Sequence, residues 1–493
     1  MVVMRLRLPA EVFALEHWYA ILLATEWLIR FIAAPIIILR QRTTSTTLTW
    51  LTAVLVLPIP GILLYAFFGE IRLGVRRGRK YARLVERAAQ KRVRAEQTST
   101  DEVLSENQSA LARVARRLGG VAASAGNSVE YLTRAADFEH RLIECIDNAK
   151  HHVHLVYFIV EDDSTGRRVA DALERAAGRG VKVRLLADAA GSWSLFDELA
   201  DRMRRAGIDV RDHLGVNPLR RRLIRFDLRN HRKLTVIDGT IAIMGSHNIV
   251  DPTAGLSRKL IKRGAEWLDV SVVIKGPAVA QLAGVFLDDW RFETGAEPEI
   301  EGYLNDSDIA GEAIVQTLSS GPGADHAAMR DVVIEALHGA KERAVITTPY
   351  FVPDEPLMTA MRLAAMRGVR TELVVPSRSD KKICDIVARG FYDELLDAGV
   401  RIYKHRNGIL HSKTVTVDDS FALVGSANMD MRSFFLNFEL GAVMYDARSV
   451  RRLKECQEAY IEDSQPLDRQ SMRRRGVIER LSEGVTRLVA PLL

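Results

Sequence analysis

The sequence predicts an α/β protein made of two similar domains in tandem behind an apolar N-terminal region. Three observations lead there: helix and strand signals that alternate in the same order twice, a short motif that recurs 180 positions after its first appearance, and nineteen consecutive uncharged residues near the N terminus. Alternation of this kind favours a parallel-rich sheet covered by helices. The repetition favours two duplicated domains facing each other across a pseudo-twofold axis.

The bulk properties set the limits. At 493 residues, 47% of them hydrophobic and 27% charged, the chain is long enough for several domains and reads as folded. Its three cysteines, Cys145, Cys384 and Cys456, are too widely spaced for a disulfide framework or a zinc site, which fits a reducing compartment and buried thiols. The net charge of +6 matters less than its placement: residues 72–94 hold ten Lys or Arg against one Glu. Directly after an apolar stretch, such a run suits anionic lipid headgroups.

That stretch, "WLTAVLVLPIPGILLYAFF" at residues 50–68, has about the length a helix needs to cross the hydrocarbon. It predicts a transmembrane helix, kinked by Pro58, Pro60 and Gly61, with Trp50 and Tyr65 at the interfaces. Residues 18–39 are also apolar but include Glu26 and Arg30, which at i,i+4 can pair on one helix face; a second span and an interfacial helix both remain open. The positive charge after Phe68 places the rest of the chain in the cytoplasm. Residues 97–126 are polar and rich in small side chains, and read as a helical or partly flexible linker. At the other end, Val477, Ile478, Leu481, Val485, Leu488, Val489 and Leu492 share one helical stripe with arginines on the polar side. Docking on the protein's own core and lying on a membrane surface are both open for it.

Between these ends, "CIDNAKHHVHLVYFIVEDD" followed by "RGVKVRLLAD" parallels "ALHGAKERAVITTPYFVPDE" followed by "RGVRTELVVP". Each half then carries His-x-Lys-x4-Asp-x6-Gly-Ser-x-Asn: His231, Lys233, Asp238, Ser246 and Asn248 in the first, His411, Lys413, Asp418, Ser426 and Asn428 in the second. On a strand the histidine and lysine would point to the same face. Two such faces brought together suit displacement at phosphorus, one neutral imidazole attacking while the other donates a proton. Fixed lysine charge and asparagine donors would stabilise the negative charge that grows on the phosphate oxygens. The chemistry needs no metal and no cofactor. Asp269 and Glu439 are candidates for fixing the imidazole tautomers, with Glu266 a rival to Asp269. Asp238 and Asp418 complete the motif as catalytic candidates but open turns, where aspartate is structurally at home.

At these residues the chain resembles the phospholipase D superfamily, and more narrowly the bacterial cardiolipin synthases of that type. The phrases "LLYAFFGE", "GNSVEYLT", "RNHRKLTVIDG", "TPYFVPDEPLMTAMRLAAMRGV", "YDELLDAGVRIYKH" and "GSANMDMRSFFLNFE" carry the narrower resemblance. It implies two tandem phospholipase D-like α/β/α sandwich domains related by pseudo-twofold symmetry and preceded by N-terminal transmembrane helices. The corresponding division is a membrane anchor at 1–70, a basic juxtamembrane segment and linker at 71–125, domains at 126–300 and 301–465, and an amphipathic tail at 466–493. It also implies condensation of two phosphatidylglycerol molecules to cardiolipin and glycerol through a phosphohistidine. His231 would be the nucleophile, His411 the acid, and Lys233, Lys413, Asn248 and Asn428, with Ser246 and Ser426, the phosphate-binding set. The implied setting is the bacterial inner membrane, with the catalytic domains cytoplasmic. Phosphatidylglycerol and anionic lipids would be the partners, nucleic acid would not, and homo-oligomerisation is open. A phospholipase D-type hydrolase, another phosphatidyltransferase, a nuclease and an inactive scaffold are the alternatives. The membrane segment weighs against a nuclease and the two complete motifs against a scaffold. The arginine-rich stretch "NPLRRRLIRFD", with Arg220, Arg221, Arg222 and Arg225, is either a solvated loop or a contact for acidic headgroups.

Overall fold

The computed structural model describes residues 10–40, 44–69, 104–119, 121–215, 228–262, 264–296, 309–322 and 327–488. They fall into two compact units, an apolar one at the N terminus and a large α/β one. The basic run at 72–94, the arginine-rich stretch at 217–227 and residues 489–493 lie outside the described residues.

The N-terminal unit reverses the expected ranking of its two apolar segments. The first is an unbroken helix, Ala10–Leu39. Residues His17–Leu39 within it are long and apolar enough to cross a membrane. Its charged pair is accommodated as the i,i+4 spacing suggests: Arg30 Nη1 lies 3.4 Å from Glu26 Oε2, while Arg30 Nε donates to the Leu55 carbonyl at 3.1 Å. The second segment breaks. Helix Thr44–Val56 stops at Leu57 (φ −127°, ψ 77°), and a short helix, Pro58–Leu64, restarts with proline in its first turn. The proline ring forces the residue before it out of the helical region. The break falls at the expected proline kink, and helical turns continue beyond it to Gly69, so the segment is two helical pieces rather than one straight helix. Trp50 and Tyr65 are not at exposed ends. They meet edge to face at 5.5 Å, buried with Ala33, Ile37 and Val54 between the helices. Trp27, Leu28, Phe31 and Ile32 face outward, an arrangement suited to lipid rather than water.

The α/β unit is organised around one fifteen-stranded sheet. Its first half supplies β1 (Ser124–Leu132), β2 (His152–Tyr157), β3 (Lys182–Asp188), β4 (Asp209–His213), β5 (Leu234–Ile237), β6 (Ile241–Gly245), the short β7 (Trp267–Leu268) and β8 (Ser271–Lys275). The second half supplies β9 (Ala313–Ser320), β10 (Arg343–Thr347), β11 (Phe351–Val352), β12 (Arg370–Pro376), β13 (Arg401–His405), β14 (Ile409–Leu410), β15 (Thr414–Val417), β16 (Phe421–Gly425), β17 (Met429–Asp430), β18 (Glu439–Met444) and β19 (Ser464–Pro466). The order β4-β3-β2-β5-β6-β8-β1 continues as β9-β18-β16-β15-β10-β12-β13-β19. Apart from the terminal β19 it is palindromic, with β1 and β9 paired at the centre, as a pseudo-twofold requires.

A parallel-rich sheet is found only toward its two ends, in β2-β3-β4 and β10-β12-β13; the other pairings are antiparallel. The motif itself is the reason. Its aspartate begins a three-residue connection between β5 and β6, with φ 51° at Asp238 and 66° at Gly239, and Asp418 (φ 49°) does the same between β15 and β16. So short a link makes a hairpin, whereas a parallel crossover needs a dozen residues.

Side chains on alternate positions of each strand enter different cores. Val153, Leu155 and Tyr157 of β2 pack with helices Ala135–Asp147 and Ser164–Gly178, while Val156 joins the core of helix Ala278–Thr294. That second core is shared with the other half, through Val450 and Leu453 of helix Ala447–Glu462. Burial of each such aliphatic side chain stabilises the fold by about 1.5–3 kcal/mol. The stretch expected as a linker is in part a docked helix, Glu106–Arg117, opened by a Ser105/Gln108 capping box. Gln108 Nε2 also donates to the carbonyls of Ser420 (2.9 Å) and Tyr445 (2.7 Å), fixing this helix to the second half.

Candidate active site

His231 and Lys233 sit in the extended segment just before β5, and His411 and Lys413 in the equivalent segment before β15, rather than within the strands themselves. Each segment is pinned by backbone bonds to the opposite half. His231 N donates to Phe438 O (2.9 Å) and Phe438 N to Arg229 O (2.9 Å); His411 N and Ser412 N both donate to Leu268 O (2.9 and 2.8 Å). Strand β14 also pairs in parallel with β7. The sheet thus delivers both imidazoles to the wall of one cavity of about 540 Å³, which Phe158, Trp267, Asn248, Tyr350 and Lys381 also line.

The carboxylates are exchanged between the halves. His231 Nδ1 faces two acceptors, Ser426 O at 2.9 Å and Glu439 Oε2 at 3.1 Å, and His411 Nδ1 faces Asp269 Oδ1 at 2.7 Å. An acceptor at Nδ1 keeps the proton there and leaves Nε2 with the lone pair. Burial lowers His231 to about 4, against Glu439, and also lowers His411, against Asp269. Burial raises the carboxylates, but the adjacent histidine and lysine charges outweigh it and hold Glu439 at about 2 and Asp269 well below the usual range. At neutral pH each pair is therefore a neutral imidazole beside an ionised carboxylate. Glu266 touches the second half through its main chain, accepting from Ile409 N at 3.0 Å.

The lysines are fully enclosed. Lys233 Nζ donates to the carbonyl of His231 at 2.7 Å, and Lys413 Nζ donates to that of His411. Desolvation lowers Lys233 to about 8 and Lys413 to about 7, opposed by Glu439 and Asp269. A bound anion would restore their charge. Asn248 accepts from Ile159 N (3.2 Å) through Oδ1 and lines the cavity. Asn428 is buried and its main-chain N–H donates to Ser433 Oγ (3.1 Å).

The serines are placed behind the histidines. Ser246 Oγ accepts from Val270 N at 3.0 Å. Ser426 Oγ donates to Glu439 Oε2 and accepts from Leu440 N at 3.0 Å. The preceding glycines allow this, since a Cβ on Gly245 would lie 2.4 Å from Val270 O and one on Gly425 2.5 Å from Leu440 O. Asp238 and Asp418 are at the far ends of β5 and β15, about 23 Å along the chain from the histidines. Asp238 accepts from the main-chain N–H of Lys150, His151 and His152, each at 2.8 Å. Asp418 accepts from Lys341, Glu342 and Arg343, each at 2.9 Å.

Sequence reasoning missed a buried polar network under the first motif. Asn230 Nδ2 contacts His213 Nδ1 (2.7 Å) and Asp289 Oδ2 (3.2 Å), and Asn230 N donates to Asp188 Oδ2 (2.9 Å). Arg232 pairs with Asp289 and donates to the carbonyls of Glu439 (3.2 Å) and Ser320 (3.0 Å), linking the halves. It also missed His247, which lines the cavity, stacks on Phe138 at 4.5 Å and is matched by Ala427 in the other half. Only the direct motif repeat was legible; these partners lie on helices and strands far away in sequence. Among the described residues, no group of three or more His, Cys, Asp and Glu side chains is set to hold a metal ion.

Two related halves that each place one His-x-Lys segment on a common cavity define the phospholipase D type of architecture. Residues 142–290 and 333–460 match the family described as cardiolipin synthase, PLD-like domain, and residues 29–70 match the phospholipase D-nuclease N-terminal family. The chain belongs to the cardiolipin synthase family of phospholipase D-like proteins. It is 34% identical over 492 residues to cardiolipin synthase A of Klebsiella pneumoniae, covering 98% of this chain and 99% of that one. To cardiolipin synthase A of Citrobacter koseri it is 35% identical over 472 residues, covering 93% and 95%. The crystal structure of phosphatidylserine synthase from Haemophilus influenzae shares the fold, with a TM-score of 0.58 at 16% identity, covering 74% of this chain and 95% of that chain.

Proposed function

We propose that the protein transfers a phosphatidyl group from one phosphatidylglycerol to another, forming cardiolipin and releasing glycerol. His231 Nε2 attacks the donor phosphorus, the bond to the glycerol oxygen breaks, and His411, which takes up a second proton at Nε2 when the anionic phosphodiester binds beside it, gives that oxygen its proton. The primary hydroxyl of a second phosphatidylglycerol then attacks the phosphohistidine, passing its proton to His411 as the phosphorus–nitrogen bond breaks. One phosphodiester replaces another, so no nucleotide is consumed.

The observation that carries this reading is the exchange of carboxylates, which gives two imidazoles on one cavity the same tautomer and different surroundings. Asp269 approaches His411 at 2.7 Å, whereas Glu439 stands 3.1 Å from His231 and is shared with Ser426 Oγ and Asn437 Nδ2. The closer, less shared carboxylate favours a proton on His411, leaving His231 to attack. Lys233, Lys413 and Asn248 are the phosphate-binding groups in this scheme. The family membership supports the choice of substrates, and the basic run at 72–94 supports a cytoplasmic site on the inner membrane.

The test is product analysis with full-length protein in vesicles of labelled phosphatidylglycerol, without nucleotide. Cardiolipin and free glycerol, lost in both His231→Ala and His411→Ala, are expected. Phosphatidic acid and glycerol in place of cardiolipin would identify a hydrolase and overturn the proposal.

A further inference from the structure

The C-terminal helix Val477–Leu488 is attached to the α/β unit by its polar side. Glu483 is buried against helix Lys382–Asp397 and pairs with Arg475, which also pairs with Asp393. Arg487 stacks over Phe391 at 4.7 Å and lies 3.6 Å from Glu394. Gly390 makes room for the crossing, since a Cβ there would stand 3.4 Å from Glu483 O. The opposite side of the helix carries Val477, Ile478, Leu481 and Val485, which are 81, 84, 65 and 53% exposed. An amphipathic helix normally docks by its apolar side. Here the ion pairs and the glycine fix it the other way round, so the apolar stripe is held outward.

We propose that this stripe inserts into the interface of an anionic lipid bilayer, making the C-terminal helix a second membrane contact of the α/β unit. Exposed Arg480 on the same helix, and exposed Arg474 three residues before its start, complement anionic headgroups. The surface is also placed usefully. Helix Lys382–Asp397, which carries the C-terminal helix, follows directly on Asp380 and Lys381 of the cavity wall, and its first turns expose Ile383 and Ile386. Along this helix Ile383 and Ile386 lie between the cavity-wall residue Lys381 and the crossing of the C-terminal helix at Gly390. A second copy of the chain is a poorer occupant, because four aliphatic side chains offer roughly half of the ~800 Å² per partner that a stable interface buries. The inference concerns a surface and goes beyond the reaction proposed above; it holds or fails whatever the enzyme's products are.

The experiment uses full-length protein reconstituted in phosphatidylglycerol/phosphatidylethanolamine vesicles, with p-benzoylphenylalanine at position 481, 485 or, as a control off the stripe, 482. After illumination, lipid adducts at 481 and 485 should exceed those at 482 by about fivefold or more, and should fall severalfold in purely zwitterionic vesicles. Protein–protein adducts at 481, or equal lipid labelling at the three positions, would overturn the proposal. Product formation by each labelled protein, matched to the unlabelled protein, ensures that the fold is intact.

Discussion

Replacing Asp269 by asparagine should disable a histidine that belongs to the other half of the molecule. The carboxylate lies 2.7 Å from His411 Nδ1, both groups are buried, and Asp269 is ionised. With the charge centres about 4 Å apart and an effective dielectric constant of 20, its attraction for an imidazolium is worth about 4 kcal/mol. Lost from the transition state, that corresponds to roughly a thousandfold in rate. The assay is cardiolipin formation by full-length Asp269→Asn and Glu439→Gln, repeated with a donor lipid whose headgroup is p-nitrophenol. Such a leaving group needs no proton, so the Asp269→Asn and His411→Ala enzymes should recover most of the first step. Glu439→Gln and His231→Ala should not, because they lack a competent nucleophile. A rate within tenfold of the parent for Asp269→Asn, or rescue of Glu439→Gln instead, would refute the reasoning.

Three further outcomes are expected. Because desolvation holds Lys413 at about 7 and Lys233 at about 8, a bound phosphonate analogue should restore their protons. Calorimetry at pH 8 in buffers of different ionisation enthalpy should show proton uptake on binding, and affinity should weaken as pH rises from 6 to 9. Asp238→Ala removes the acceptor of three main-chain N–H groups at the end of β5 remote from the cavity. It should lower stability by about 3 kcal/mol in a denaturant titration while leaving the activity of folded enzyme within about twofold. Arg232→Met strands the buried Asp289 carboxylate and should cost about 3–5 kcal/mol, recovered in part by adding Asp289→Leu.

The repeat made the duplicated α/β fold legible, because helix and strand periodicities are local and the motif marks equivalent points in each copy. The His-Lys segments were found for the same reason, and Asp269 and Glu439 were found as acids. What the chain could not disclose was which acid serves which histidine. Spacing within each half links Glu439 with His411 and Asp269 with His231, while the antiparallel meeting of β1 and β9 reverses the assignment. The Gly-Ser pair shows the same limit. A hydroxyl directly after a strand resembles a phosphate ligand, and only the close approach of Gly425 to Leu440 reveals that Ser426 faces backward onto Glu439. In the N-terminal unit, charge counting favoured the second segment, yet the pairing of Arg30 with Glu26 and the Leu55 carbonyl leaves the first helix intact while Pro58 breaks its neighbour.

The carboxylate exchange has a consequence for synthesis. His231 leaves the ribosome 208 residues before Glu439, the group that orients it. At about 5–20 residues per second, the first half waits roughly 10–40 s for the residues that complete its site. During that interval it has an imidazole without an orienting carboxylate and no proton donor opposite. An unfinished or truncated chain therefore lacks the orienting carboxylate and the second imidazole that the proposed reaction requires, so the activity proposed above is tied to completion of the second half.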